Sequence, residues 1–227
     1  MGQHLKRINA PKTWHLLRKE QIFVSRPRPG RHAQDRGIPL LLLVRDHLHK
    51  VDTLKELKYL ITNKAILING KVVREPRTLI GIMDVLSLHA DHYRIIITRF
   101  GRYTGIPIPA AEANTRIEKI IAKHIVKGMQ QVTLMSGMTF LTKEKYAVGD
   151  SLVLVDNKVS QHLPLKEGMA ALIYRGKSAG RIIHITKLEG KLVHFVQGDI
   201  QVKTNKDYVL ALGEKQTLKH ITEEAHE

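Results

Sequence analysis

The chain has 227 residues, enough for one large domain or two to three small ones, and its 43% apolar content permits real cores. With 37 Lys and Arg against 21 Asp and Glu, its net charge is +16, so the first expected partner is acidic, either nucleic acid or an anionic membrane. No apolar run approaches the ~20 residues a membrane-spanning helix needs, the start Met1-Gly-Gln-His-Leu-Lys-Arg lacks a signal-peptide core, and zero cysteines exclude disulfides and thiolate metal sites. Aromatic residues are only 5% of the chain, which argues against base stacking on an aromatic platform.

Residues 1–37 read as a basic N-terminal arm. Nine cations (Lys6, Arg7, Lys12, Arg18, Lys19, Arg26, Arg28, Arg31 and Arg36) face only Glu20 and Asp35, a net of +7. Core-forming periodicity is poor, and Pro27 and Pro29 favour extended backbone. A short helix is expected from Pro11 through Lys19, with Trp14 and Leu17 on one side. Composition alone describes a flexible, solvated tail. Trp14 and Phe23 favour an arm that becomes ordered on RNA, because a merely solvated tail has little use for them.

Residues 38–90 carry the most informative stretch. Leu40, Leu41, Val44, Leu48 and Val51 fit one face of a helix. Thr53 with Glu56 forms a capping box, so a second helix starts there, with Leu54, Leu57, Leu60 and Ile61 as its apolar stripe. Ala65–Ile68 and Lys71–Val73 flank Asn69-Gly70, the strongest short signal for a tight hairpin turn. Arg45, Lys50, Lys55, Lys58, Lys64, Lys71, Arg74 and Arg77 are the unit's polar surface. A helix pair followed by a basic hairpin resembles the S-four-type RNA-binding module.

Residues 91–165 read as a central β-rich domain with one helix. Tyr93–Thr98 is a strand, and Phe100–Pro109 a turn and second strand that the prolines confine to an edge. Arg102 lies in that turn. Ala111–Lys123, with Ile117, Ile120 and Ile121 between mixed charges, reads as an amphipathic helix ended by Gly128. Further strands are expected over Gln131–Met135, over Ser151–Val155 and near Val159. Residues 166–212 are a run of short strands with close turns, the pattern of a small barrel. Arg175, Lys177 and Arg181 sit on or beside its glycine-bearing loop. Residues 213–227 form a polar tail ending in Glu223, Glu224 and Glu227. The expected fold class is α+β and multi-domain.

The chemistry-bearing motifs are few. Gly176-Lys-Ser precedes a strand rather than a helix, so it lacks the context of a phosphate loop. His47 with His49, and His89 with His92, are the closest histidine pairs. Without cysteine, a metal site would need three or four His, Asp or Glu ligands to converge. Neither a nucleophile elbow nor a paired-carboxylate pocket is visible. Asp46 is expected to cap or to pair with Arg45 or a nearby Lys, while Asp84 and Asp150 sit in turns. The reading is of no enzyme, no cofactor, no metal and no small-molecule substrate.

One family matches these motifs in order across nearly the whole length. His4-Leu-Lys-Arg, Ala10-Pro-Lys-Thr-Trp, Arg26-Pro-Arg-Pro-Gly-Arg-His and Pro39-Leu-Leu-Leu-Leu-Val-Arg-Asp-His-Leu are followed by Asn69-Gly-Lys-Val-Val-Arg and Gly81-Ile-Met-Asp-Val-Leu-Ser-Leu. Tyr93-Arg, Gly101-Arg, Val148-Gly-Asp-Ser and Gly168 to Gly180 complete the set. The chain resembles the S-four-e family of archaeal and eukaryotic small-subunit ribosomal proteins, and its length points to the archaeal side. The resemblance implies a basic arm, the RNA-binding module, a central β-rich domain and a KOW-type SH3-like β-barrel. It implies a structural, non-catalytic role in the cytoplasm, with small-subunit rRNA and neighbouring ribosomal proteins as partners and no membrane. The RNA contacts expected on this reading are Lys6, Arg7, Lys12, Trp14, Arg18, Lys19, Arg26, Arg28, Arg31, His32, Arg45, Lys55, Lys58, Lys71, Arg74, Arg77, Arg102, Arg175, Lys177 and Arg181. Two alternatives compete: an RNA-modifying enzyme, which needs a catalytic domain the chain does not display, and an RNA-binding translation or transcription factor.

Overall fold

The computed structural model describes residues 4–198 and 200–213. The expected acidic tail, with Glu223, Glu224 and Glu227, lies outside them. The described chain is mainly β-sheet with few helices and falls into two compact units. Residues 4–97 with Arg102–Asn114 form one, and Thr98–Gly101 with residues 115–213 form the other.

In the first unit, β1 (Leu5–Lys6) pairs with β2 (Phe23–Val24), and β3 (Gly37–Pro39) runs into α1 (Leu40–Leu42). A π-type turn over Leu43–His47 continues α1. The apolar run is buried without interruption from Leu40 to Val44, so the helix sits in the core rather than presenting one stripe to it. Next comes α2 (Leu54–Thr62). Thr53 Oγ1 accepts the Glu56 N–H at 3.2 Å, and the Glu56 carboxylate accepts from Thr53 Oγ1 and from the Asp52 N–H, both at 2.9 Å. This reciprocal cap is the one the sequence signals. Of the expected stripe, only Leu57 is fully buried.

Five strands follow: β4 (Ile66–Ile68), β5 (Lys71–Val72), β7 (Val85–Leu88), β8 (Asp91–Ile97) and β9 (Tyr103–Ile108), with β6 (Leu79–Gly81) pairing separately with β3. The sheet order is β5-β4-β7-β8-β9, which puts the proline-bearing β9 at an edge. Asn69 and Gly70 both have positive φ, 53° and 74°, as a two-residue hairpin turn of this kind requires.

The segment read as a flexible arm is folded onto this unit. Trp14 is fully buried and its indole N–H donates to the Gly37 carbonyl at 2.7 Å. The Arg28 N–H donates to the Arg77 carbonyl at 3.1 Å. The helix expected from Pro11 through Lys19 is only a 3-10 turn over Lys12–Trp14, closed by His15 at φ 48°. Periodicity misses this segment because its burial comes from single anchors rather than from a repeating face.

The second unit begins with β10 (Thr115–Val126), β11 (Met129–Leu134), β12 (Thr139–Thr142), β13 (Ser151–Val155) and β14 (Lys158–Leu163), in the order β12-β11-β10-β13-β14. The helix expected over Ala111–Lys123 is therefore a strand. Six of the twelve residues of β10 are β-branched, and Arg116 to Lys119 pair with β13. Residues 116 to 120 are buried on both faces, so Ile117 and Ile120 mimic helical spacing while lying on opposite sides of a strand. Gly128 ends no helix but shares a tight turn with Lys127, φ 75° and 51°.

The same unit continues with β15 (Ala170–Ile173), β16 (Ile182–Glu189), β17 (Leu192–Gln197), β18 (Ile200–Asn205) and β19 (Val209–Gly213). Their antiparallel order is β18-β17-β16-β15-β19, and Ile173, Ile185, Val193, Phe195, Val209 and Ala211 fill the core.

Candidate nucleic-acid interface

The site is organised by a carboxylate that the sequence leaves in an ordinary turn. Asp84 is 3% exposed and accepts three hydrogen bonds. They come from His32 Nε2 at 2.8 Å, Asn69 Nδ2 at 2.7 Å and the Gly81 N–H at 2.8 Å. Asn69 in turn accepts the Val85 N–H at 2.8 Å. Burial alone would raise this carboxyl; the His32, Asn69 and Gly81 donors outweigh it and hold Asp84 below the usual range. Gly81 leaves the space in which His32 lies: a Cβ there would meet the imidazole at 2.3 Å. One carboxylate thus ties the Arg26–Ala33 segment to the hairpin turn.

That tie shapes a cleft of about 630 Å³ lined by Arg26, Pro27, Arg28, Pro29, Gly30, Arg31, His32, Ala33, Gln34, Arg77 and Leu79. Its four arginines are all exposed. No acid lines it, although Glu75 pairs with Arg28 at 3.0 Å from outside. Guanidinium groups converging from two segments suit phosphate oxygens, which they can hold in bidentate fashion.

The other expected contacts divide by environment. Lys6, Lys12, Arg18, Lys19, Lys55, Lys58, Lys71, Arg74 and Arg102 are exposed on the first unit, and Arg175 and Lys177 on the second. Arg175 lies over the Tyr208 ring at 5.6 Å, while Arg181 is half-buried. Arg45 is held by Asp46 through two bonds, Nε to Oδ1 at 2.6 Å and Nη2 to Oδ2 at 3.0 Å. Its pKa is raised, first by that hydrogen bond.

Three expected contacts are corrected. Trp14 cannot offer a face to a base while it is buried and bonded to Gly37. His32, 8% exposed, gives its imidazole to Asp84. Arg7 is 6% exposed and donates through Nη1 to the Leu17 carbonyl at 2.9 Å and to Glu20 at 3.3 Å, so it is no free surface cation.

Sequence reasoning missed the buried polar groups. Asp150, 6% exposed, accepts from His162 Nε2 at 2.8 Å and from the Leu165 N–H at 3.1 Å. Arg116 and Glu118 form a buried ion pair on β10. Lys119 donates to the carbonyls of Lys206 at 2.7 Å and Val209 at 2.8 Å, and burial lowers its pKa to about 8. The only available signal was charge inside a β-branched run, which the helical reading absorbed as a solvated face. Among the described residues, no group of three or more His, Asp or Glu could hold a metal ion, and no helix is long and apolar enough to cross a membrane.

Comparison with known proteins identifies the family. Residues 1–35 match the RS4NT (NUC023) domain, and residues 89–158 match the ribosomal family S4e. The small ribosomal subunit protein eS4 of Methanospirillum hungatei is 36% identical over 94% of this chain and 95% of its own. That of Methanopyrus kandleri is 34% identical over 98% and 96%. The crystal structure of the 30S ribosomal protein S4e from Thermoplasma acidophilum superposes with a TM-score of 0.71 at 29% identity, covering 80% of this chain and 97% of that one. The chain belongs to the S4e family of small-subunit ribosomal proteins.

Proposed function

We propose that this chain is a structural constituent of the cytoplasmic small ribosomal subunit, holding rRNA and neighbouring ribosomal proteins without catalysing a reaction. The observation that carries the reading is the cleft in which Arg26, Arg28, Arg31 and Arg77 converge, fixed in place by Asp84. The exposed cations of the helix-hairpin segment, Lys55, Lys58, Lys71 and Arg74, extend the same basic character. Residues 38–90 are the proposed S-four-type RNA-binding module, following the basic segment 1–37, and 91–165 the proposed central domain. For residues 166–212 the strand order β18-β17-β16-β15-β19 supports a KOW-type SH3-like barrel, with Arg175, Lys177 and Arg181 as its RNA contacts.

Recognition is by phosphate contact, because cations are many and exposed aromatics few. Affinity for rRNA then falls steeply with salt, by roughly one unit of slope in log K for each phosphate neutralised. The test is co-sedimentation with small subunits through a high-salt cushion, together with filter binding to small-subunit rRNA at several salt concentrations. An integral constituent stays with the particle, and a loosely bound factor washes off. An affinity independent of salt would overturn the reading.

A further inference from the structure

Four large apolar side chains near the start of the chain stand open to solvent. Ile8 is 68% exposed, Leu17 67%, Ile22 71% and Phe23 50%. Their backbone is nevertheless firmly held. The Arg7 N–H donates to the Ile22 carbonyl at 2.9 Å, Arg7 Nη1 to the Leu17 carbonyl at 2.9 Å, and Arg18 Nη1 to the Ile8 carbonyl at 2.7 Å. Phe23 pairs with Lys6 across β1 and β2, and its ring centre lies 5.2 Å from that of His4. The carbonyls of Ile8, Leu17 and Ile22 thus converge on one knot made by Arg7 and Arg18, while their side chains face water. Single exposed apolar residues are ordinary on a protein surface. Four of them grouped on one hydrogen-bonded knot and rimmed by charge mark a docking surface. The exposed cations Lys6, Lys12, Arg18 and Lys19 lie beside or between them in the chain, and the one acid there, Glu20, pairs with Arg7 at 3.3 Å.

The side chains decide the kind of partner. Aliphatic groups have no π face to stack on a base and no donor for a phosphate. Pressed against a sugar–phosphate backbone, they would strip water from charged oxygens and return nothing. They gain only against apolar surface, which a protein supplies. The cations around them select a partner whose apolar centre is edged by Asp and Glu. We propose that Ile8, Leu17, Ile22 and Phe23 form a docking surface for another protein of the small subunit, one that presents an apolar face bordered by carboxylates. The proposal rests on the reading of this chain as a ribosomal constituent, and it adds a protein-facing surface distinct from the Arg26–Arg77 cleft. Because the knot orders this backbone in advance, docking does not bear the entropy of fixing a loose segment.

The test uses the full chain, small-subunit rRNA, and small subunits reconstituted from rRNA and the remaining small-subunit proteins. Leu17→Ser with Ile22→Ser removes no charge, so its affinity for rRNA alone should stay within about twofold of wild type. Its release from reconstituted subunits in high salt should be roughly a hundredfold faster, because salt screens the cations but not the apolar contact. Val196→Ser with Ile200→Ser, 51% and 69% exposed on the second unit, should be released like wild type. Unchanged Trp14 emission shows that the first unit of the variant is folded. Independently, a photo-reactive benzoylphenylalanine in place of Leu17 should crosslink, within the reconstituted subunit, to a ribosomal protein at a site where apolar residues adjoin Asp or Glu. That crosslink decides alone if the serine variant fails to fold. A crosslink to rRNA, or none, overturns the surface. So do equal release of the two double variants and a loss of rRNA affinity as large as the loss of retention. In each of those cases wild-type rRNA binding leaves the broader function standing. If the wild type neither binds rRNA nor enters the subunit, the functional reading fails and this surface with it.

Discussion

Replacing Asp84 by Ala should destabilise the first unit by about 3–5 kcal/mol, the usual cost of removing one partner from a buried charged network. The structure supplies the reason for so large a value. Three donors lose their acceptor at once: the His32 ring, the Asn69 amide and the Gly81 N–H, all inside a region where Asp84 is only 3% exposed. Each stranded donor costs about 1–3 kcal/mol, and partial relaxation toward water brings the sum down to the range given. Asp84→Asn keeps the shape and one acceptor oxygen, so its cost should be smaller, about 1–3 kcal/mol. Trp14 makes the measurement specific. It is the only tryptophan in the chain and it is buried in the first unit, so its fluorescence in a urea titration reports that unit alone. The pH dependence has a definite sign. Because the folded carboxyl sits below its ordinary value of 3.8, its contribution is fully present above that pH and is lost as pH falls through the folded value. The Asp84→Ala and wild-type curves should therefore converge in acid. A loss under ~1 kcal/mol at neutral pH, in the range of an ordinary surface substitution, would refute the network as the tie between the basic segment and the hairpin.

Gly81→Ala should act on the same joint from the other side, because its Cβ would meet His32 at 2.3 Å; the expected result is an exposed His32 and weaker rRNA binding, and an unaltered His32 ring resonance would contradict it. The buried Lys119, with a pKa of about 8 against 10.5 when unfolded, binds its proton more weakly in the folded state, so the second unit gains stability as pH rises between those values. The advantage of wild type over Lys119→Met should grow by at most about 3 kcal/mol across that window, measured by denaturation followed by circular dichroism, and a constant difference would show that the amine is solvated. Lys55→Ala with Lys58→Ala should weaken rRNA binding by on the order of 1–2 kcal/mol more than Lys187→Ala with Lys191→Ala, two exposed lysines of the second unit, at one fixed salt concentration, since α2 holds Lys55 and Lys58 on a capped helix. Equal losses would assign recognition to net charge rather than to that surface.

Where local chemistry is strong, the sequence by itself determined the structure. Thr53 and Glu56 start α2 because a capping box needs no distant partner, and Asn69-Gly70 makes its turn because both residues tolerate positive φ. The excess of cations, and hence the acidic partner, is likewise a property of composition. Only the tertiary structure decided the rest. β10 has helical spacing at Ile117, Ile120 and Ile121, but pairing with β13 and β11 and burial on both faces outweigh that local preference. Trp14 and His32 look like exposed recognition residues in a basic stretch, yet each is claimed by one acceptor distant in the chain, the Gly37 carbonyl and the Asp84 carboxylate. Periodicity records a repeating environment along a segment. It cannot register a single long-range hydrogen bond that turns a cation-rich stretch into the folded wall of a cleft.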